Sequence, residues 1–203
     1  MRIAIAGSHG TGKTTLAKML AEALGLPLLT ERAREAARQA GVSDLQVLLR
    51  DPEAAERFQS LVLRLQVEGE DHLGKFVSDR SVYDVLAYGV FYRIENSTWY
   101  RTAEEALRKH PRYDAVVYVP VRFLPAEDGF RFVCPGCQLC VDLALREILR
   151  MVGSHEQVIA VRGEVPGARL WEVVDTLYLA GLLSAKEYGR IVARSVNVVG
   201  RKG

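Results

Sequence analysis

Cysteine is scarce in this sequence: the chain has three, and all of them lie between Cys134 and Cys140. Such a small and local group excludes the network of disulfides that stabilises many small secreted proteins. Long apolar runs are also lacking, since no stretch approaches the roughly 20 residues that span a bilayer. The N-terminus enters an apolar strand pattern at once, without the features of a signal peptide. We therefore expect a cytoplasmic protein with no membrane partner.

A strong excess of charge is lacking as well, because the formal net charge is only +2. This charge gives no general attraction for nucleic acid, so we expect no nucleic-acid partner. Any anion site must come from local groups of arginines. Of the 203 residues, 49% are hydrophobic and 26% are charged, and these values are typical of one globular domain with a substantial core.

The most informative motif follows the apolar run from Ile3 to Ala6 and has the pattern G-x-x-x-x-G-K-[ST] of a phosphate-binding P-loop. In such a loop, backbone N–H groups and the N-terminus of the next helix bind phosphate. We expect Lys13 to reach the β- and γ-phosphates, with its ammonium group facing solvent before nucleotide binds, and Thr14 to ligate Mg²⁺. The alternative is a merely flexible glycine-rich turn. The predicted nucleotide-binding residues are Gly7, Ser8, His9, Gly10, Thr11, Gly12, Lys13, Thr14 and Thr15.

Short apolar strands alternate with longer amphipathic helices, which predicts an α/β fold with a parallel sheet covered on both faces. Together with the P-loop, this alternation predicts a P-loop NTPase fold with five parallel strands. The expected strands are 2–6, 27–30, 75–78, 114–119 and 158–161. The expected helices are 15–24, one that begins at 31–34, 51–72, 82–92, one capped by Thr102, 139–151, 170–182 and 185–194.

Asp79 and Arg80 follow the third strand, at the edge of the sheet where open α/β folds bind ligands. The P-loop lies at the same edge. An acid at this place in P-loop enzymes usually holds magnesium, directly or through water, so Thr14 and Asp79 form the predicted Mg²⁺ site. The alternative is that Asp79 or Ser81 caps the next helix. Arg80, beside the phosphate site, is a candidate for bidentate binding of a phosphate.

The P-loop, the Asp79-Arg80-Ser81 sequence and two further phrases resemble the nucleoside and nucleotide kinases around thymidylate kinase. The phrases Thr30-Glu31-Arg32-Ala33-Arg34-Glu35 and Glu127-Asp128-Gly129-Phe130-Arg131 are most similar to the NadR-type kinases, which include ribosylnicotinamide kinase domains. The resemblance covers roughly residues 1–162, the expected kinase core. Residues 163–203 are then a helical extension of the same domain.

The resemblance implies ATP and Mg²⁺ as cofactors and a small nucleoside or nucleotide as acceptor. It implies that Arg80 contacts phosphate and that Glu31 lies near the acceptor. It also implies that Arg122 and Arg131 belong to a lid, at about residues 122–140 between the fourth and fifth strands, which closes over ATP. A lid suits phosphoryl transfer because water would otherwise hydrolyse ATP. We leave a homodimer open.

Two kinds of kinase fit these residues: one that phosphorylates a nucleoside and one that phosphorylates a nucleoside monophosphate. A nucleoside hydroxyl benefits from a carboxylate base, and Glu31 can be that base. A monophosphate needs cationic clamps, which Arg32, Arg34, Arg38 and Arg80 could supply, although Arg34 and Arg38 could also line a solvated helix face. We slightly prefer a monophosphate acceptor of the thymidylate type.

Other P-loop classes fit less well. A GTPase would need an Asn-Lys-x-Asp motif, which is absent from the sequence. A motor ATPase usually has a glutamate after the strand-3 acid, where this chain has Arg80. A P-loop ATPase or a nucleotide-dependent regulatory protein is the alternative function of a different class.

Cys134-Pro135-Gly136-Cys137 predicts a tight turn that could direct two thiolates at one zinc ion, with Cys140 as a third ligand. His155, Asp142 or a second chain would have to supply the fourth. The alternatives are small buried thiols or a disulfide between Cys134 and Cys137.

Overall fold

The computed structural model describes residues 1–94, 98–109, 113–123, 134–152 and 157–199. Within these ranges the chain forms one five-stranded sheet in which every pair of neighbouring strands is parallel. The strand order is β2-β3-β1-β4-β5. The predicted fold class is therefore confirmed. The strands are β1 (Arg2–Ala6), β2 (Leu28–Leu29), β3 (Phe76–Asp79), β4 (Ala115–Tyr118) and β5 (Gln157–Ala160).

Eight α-helices and one 3₁₀-helix, Leu45–Leu49, surround the sheet in the described ranges. Two helix ends have a clear cause in the sequence. Asp51 caps the third helix with Pro52 at its first position, and Gly25 ends the first helix in a left-handed conformation. The helices are α1 (Lys13–Leu24), α2 (Ala33–Ala40), α3 (Pro52–Leu73), α4 (Val82–Phe91), α5 (Thr98–Lys109), α6 (Pro135–Val152), α7 (Pro166–Leu179) and α8 (Ala185–Val199).

Two helices begin one turn earlier than predicted. Helix α5 begins at Thr98 rather than near Thr102, because Trp99 is buried against α4. A Cβ on Gly89 would lie 2.3 Å from the Trp99 ring, so only glycine permits this contact. Helix α6 begins at Pro135 rather than Leu139, since the fixed φ of proline suits the first turn. Residues 135–140 are therefore helical, which corrects the C-terminal part of the predicted lid; residues 124–133 lie outside the described ranges.

Each face of the sheet has its own hydrophobic core, because successive side chains of a strand point to opposite faces. In β1, Ala4 and Ala6 face the core beneath α3, α4 and α6, whereas Ile3 and Ile5 face the core with α1 and α7. Helix α7 and the start of α8 thus pack beside the helix that follows the P-loop. In the part of the chain described here, no helix is long and apolar enough to span a membrane.

Candidate active site

The P-loop leaves the central strand β1, and its backbone depends on two glycines. Gly7 has φ 155° and a Cβ there would lie 2.5 Å from the Val119 carbonyl oxygen, so no other residue fits. Gly12 has φ 88° and precedes α1, and among the described residues no side chain caps this helix. The first-turn N–H groups of α1 are thus directed at the position where the motif binds phosphate.

Lys13 is almost fully buried, which corrects the expectation of a solvent-facing ammonium group. Its Nζ donates to the Ser8 carbonyl oxygen and lies 3.5 Å from Thr11 Oγ1. The physical reason is that the P-loop folds around the lysine, so that oxygen atoms of the loop itself accept hydrogen bonds from the ammonium group. A phosphate oxygen bound in the P-loop could replace these partners.

Thr14 and Asp79 meet as the sequence predicts. Ile5 of β1 pairs with Asp79 of β3, and this register brings the aspartate beside the P-loop. The Thr14 hydroxyl donates to Asp79 Oδ2 at 2.6 Å. Ser81, not Asp79, caps helix α4, so the carboxylate of Asp79 remains directed at Thr14. Two hard oxygen ligands in contact suit Mg²⁺, which takes few protein ligands when it also binds phosphate.

Arg80 is held in a strained backbone conformation with φ 104°, outside the regions that most residues adopt. Its Nε donates to Glu31 Oε1 at 2.6 Å, and its guanidinium lies 4.9 Å from the centre of the Tyr88 ring. Nη1 lies 3.6 Å from Asp84 Oδ1. Burial alone would lower the pKa of Arg80, but Glu31 and the other acidic groups around it outweigh burial and raise the pKa well above its ordinary value. Arg80 is therefore a fixed positive charge beside the P-loop.

Sequence analysis missed Asp84, which joins the P-loop to α4. Asp84 Oδ1 accepts from the Gly7 N–H at 3.0 Å, and Oδ2 accepts from the N–H and hydroxyl of Ser81 at 2.8 and 2.6 Å. Burial raises the pKa of Asp84, partly offset by the charges of Arg80 and Lys13. The Ser81-x-x-Asp84 spacing is a helix-capping signal. It could have identified the contact of Asp84 with Ser81, but not its contact with the Gly7 N–H.

Two further residues that sequence analysis missed hold P-loop carbonyl groups. Gln138 of α6 donates to the His9 carbonyl at 2.8 Å, and Arg169 of α7 donates through Nη1 to the Thr11 carbonyl at 2.7 Å. Arg169 Nε also donates to the Gly163 carbonyl at 2.7 Å. Burial, followed by the neighbouring charge of Arg122, lowers the pKa of Arg169. Arg122 therefore lies on the P-loop side of the molecule, whereas Arg131 lies outside the described residues.

A cavity adjoins the P-loop on the side of Arg80. Its wall is largely apolar and aromatic, with polar groups at the end nearest the P-loop. Gln59 is buried in this wall, and its Oε1 has no hydrogen-bond partner among the described residues. The cavity is lined by His9, Glu31, Ala33, Leu45, Phe58, Gln59, Val62, Arg80, Asp84, Val85, Tyr88 and Tyr92.

The structure does not bring every candidate arginine to this cavity. Arg34 and Arg38 are exposed on α2 and line a separate surface groove with Gly41 and Val42. Arg38 also contacts Glu35 of the same helix. Both arginines therefore lie on a solvated face of α2, which is the alternative that their spacing of four residues allowed.

The zinc prediction is not supported. Cys134 and Cys137 form a disulfide, so neither sulfur is a thiolate that could bind the metal. Cys140 is exposed and free, and Asp142 accepts a hydrogen bond from the Tyr118 hydroxyl at 2.7 Å. His155 lies outside the described residues, and within them no group of three His, Cys, Asp or Glu could hold a metal ion.

Arg169→Met should lower the free energy of unfolding by about 1–3 kcal/mol, because two carbonyl groups lose a charged donor. Urea unfolding followed by circular dichroism measures this change. Arg162→Met is the matched control, since the structure shows only the backbone N–H of Arg162 in a hydrogen bond within the described residues. Equal stabilities of the two variants would show that Arg169 does not support the P-loop.

Solved structures with the same fold include several kinases. Deoxyadenosine kinase from M. mycoides with bound dCTP is 16% identical, covers 88% of this chain and 99% of its own, and has a TM-score of 0.67. NadR protein in complex with NR is 20% identical over 90% of this chain and 52% of its own, with a TM-score of 0.69. Thymidylate kinase from Ehrlichia chaffeensis is 17% identical over 87% of this chain and 98% of its own, with a TM-score of 0.61. At these identities the likeness shows a shared P-loop kinase fold.

No curated protein matches the chain. A family model described as an AAA domain matches residues 2–166, which include the P-loop, Glu31, Asp79 and Arg80. Because this match spans most of the sequence, the chain belongs to the AAA domain family.

Proposed function

We propose that this protein is a kinase that transfers the γ-phosphate of ATP to a hydroxyl group of a nucleoside. The observation that carries the proposal is the Glu31 carboxylate, 2.6 Å from Arg80 Nε, in an aromatic cavity that adjoins the P-loop. A carboxylate can take the proton of an acceptor hydroxyl, and the P-loop can hold the phosphate that this hydroxyl attacks. The shared fold with nucleoside and nucleotide kinases supports this reading.

The residues present fit ATP and Mg²⁺. Backbone N–H groups from Ser8 to Thr14 would hold the phosphates, Lys13 would contact the β- and γ-phosphates, and Thr14 with Asp79 would ligate the metal. Magnesium bound there would neutralise charge on the transferring phosphate. A pocket beside the loop, lined by Phe123, Pro166 and Arg169 among others, could hold the adenine. Arg122 and Arg131 remain predicted lid residues.

The cavity that Glu31 and Arg80 line would hold the acceptor, and we call it the acceptor cavity. Its charges favour a nucleoside over the monophosphate that the sequence slightly favoured. Arg80 is the only arginine or lysine that lines the cavity within the described residues, and it already faces Glu31 and Asp84. A monophosphate would bring two negative charges towards these carboxylates without a further cation. Arg34 and Arg38 cannot help because they line the separate groove on α2.

The chain's own residues would then act in sequence. The aromatic wall, including Phe58 and Tyr88, would bind the base, and Gln59 could pair with its polar edge. Glu31 would accept the proton of the acceptor hydroxyl as that oxygen attacks the γ-phosphate. Arg80, fixed by Glu31 and Asp84, and Lys13 would stabilise the negative charge of the transition state.

An assay of ADP release tests the proposal. The purified protein is incubated with ATP and Mg²⁺, alone and with nucleosides or their 5′-monophosphates. We expect ADP release to depend on a nucleoside and a phosphorylated nucleoside to form in equal amount. Release that depends on a monophosphate would favour the thymidylate kinase type instead. Release that needs no acceptor would indicate an ATPase and overturn the kinase proposal.

A further inference from the structure

The disulfide between Cys134 and Cys137 closes the first turn of α6, directly before a residue that contacts the P-loop. The Cys137 N–H donates to Cys134 Sγ at 3.1 Å, and the Gln138 N–H donates to the Cys134 carbonyl at 3.0 Å. The side chain of Gln138 is buried and donates to the His9 carbonyl at 2.8 Å. The same short turn therefore contains the disulfide and a support of the P-loop.

The contact of Gln138 extends to the acceptor cavity. His9 Nδ1 lies 3.2 Å from the Tyr88 hydroxyl, and the Tyr88 ring lies 4.9 Å below the Arg80 guanidinium. His9, Tyr88 and Arg80 all line the acceptor cavity. A change at Gln138 can thus reach both the phosphate loop and the acceptor site.

The disulfide is accessible to another thiol. Both cysteines are only partly buried, Pro135 and Gly136 between them are exposed, and a Cβ on Gly136 would meet no atom within 4 Å. A Cys-x-x-Cys sequence at the start of a helix is the arrangement of reactive redox pairs, because the N-terminus of a helix stabilises a thiolate. Because this disulfide closes a loop with a sequence separation of only three, it restricts the unfolded chain less than a disulfide that closes a long loop.

The rest of α6 is anchored independently of the disulfide. Val141, Leu145 and Leu149 are buried in the core beneath the sheet, and Asp142 accepts a hydrogen bond from Tyr118. Loss of the disulfide would therefore loosen the first turn, with Gln138, while the remainder of the helix stays packed. A local opening of this kind can change ligand affinity without unfolding the protein.

We propose that Cys134 and Cys137 form a thiol–disulfide exchange site whose redox state sets the nucleotide affinity of the P-loop through Gln138. A thiolate of a dithiol reductant, small or protein-borne, attacks one sulfur, breaks the Cys134–Cys137 bond and forms a mixed disulfide. The second thiol of the reductant then displaces the remaining cysteine. Two electrons and two protons pass to the pair, which leaves two thiols in this chain and one disulfide in the reductant.

The expected consequence is weaker nucleotide binding after reduction. The hydrogen bond from Gln138 to the His9 carbonyl no longer has a fixed donor, so the loop loses order that the bound phosphates require. We expect the dissociation constant of nucleotide to rise about five- to tenfold, the effect of one hydrogen bond. This inference rests on the nucleotide-binding part of the proposed function but not on the identity of the acceptor.

The test measures binding of a fluorescent ATP analogue with Mg²⁺, without acceptor, in oxidised and in reduced dithiothreitol. Thiol alkylation and mass spectrometry report the state of the pair in each sample. Cys140→Ser is the control and should respond as the natural chain does. Cys134→Ser/Cys137→Ser should bind as weakly as the reduced protein in both buffers. Gln138→Ala should also bind weakly in both, although its cysteines still oxidise and reduce.

Equal affinity of the oxidised and reduced protein would overturn the proposal, as would the absence of nucleotide binding in both states. A pair that alkylation shows to be unchanged across the dithiothreitol buffers would overturn it too. Failure of the kinase proposal is a separate result, because it appears as ADP release without an acceptor while the redox effect on binding persists.

Discussion

Lys13→Ala should lower kcat by about a hundred- to a thousandfold, the typical cost of removing one charged donor to a transition state. Lys13 is buried inside the P-loop and donates to the Ser8 carbonyl oxygen. When phosphate fills the loop, this ammonium group can exchange the neutral carbonyl for oxygen atoms that gain negative charge as the reaction proceeds. The interaction is therefore stronger in the transition state than in the free protein, and its loss appears in kcat.

The fold should survive Lys13→Ala, because the Ser8 carbonyl that Lys13 contacts lies in a loop that Asp84, Gln138 and Arg169 also hold. Lys18→Ala is the matched control: Lys18 is exposed on the same helix, and its loss should leave turnover unchanged. Initial rates at saturating ATP, with circular dichroism of each variant, separate catalysis from folding. Turnover of Lys13→Ala within a factor of two or three of the natural chain would contradict the assigned role of the P-loop.

The parts of the site that sequence analysis located are those encoded in short segments. The P-loop pattern requires glycine where a backbone clash excludes every other residue, as at Gly7, so the motif itself carries the structural constraint. Asp79 was located because an acid that ends a strand beside β1 must lie at the same sheet edge as the P-loop. The alternation of strands and helices fixed the fold class in the same way, through local periodicity.

The residues that sequence analysis missed act over long sequence separations. Gln138 reaches His9, 129 residues away, and Arg169 reaches Thr11, 158 residues away. Neither residue belongs to a local motif, since a lone glutamine or arginine in an amphipathic helix is usually a surface residue. Only the packing of α6 and α7 around the sheet makes them supports of the P-loop. The absence of Arg34 and Arg38 from the acceptor cavity is likewise a consequence of how α2 packs.

Glu31→Gln should lower kcat with a nucleoside acceptor by about a hundredfold or more, with a much smaller change in KM. The carboxylate of Glu31 lies in the acceptor cavity and accepts a hydrogen bond from Arg80. Glutamine has the same size, and its amide oxygen can still accept from Arg80 Nε, so the geometry of Arg80 should be kept. What the variant lacks is the basicity that removes the proton of the acceptor hydroxyl.

Glu35→Gln is the matched control, since Glu35 lies four residues further along, in α2, and contacts Arg38 and Gln39 outside the acceptor cavity. Its turnover should equal that of the natural chain. Steady-state rates with the best nucleoside from the ADP-release assay, at saturating ATP and varied nucleoside, provide the comparison of kcat and KM. If Glu31→Gln instead keeps its kcat with a nucleoside, Glu31 only positions Arg80, and another group must remove the hydroxyl proton.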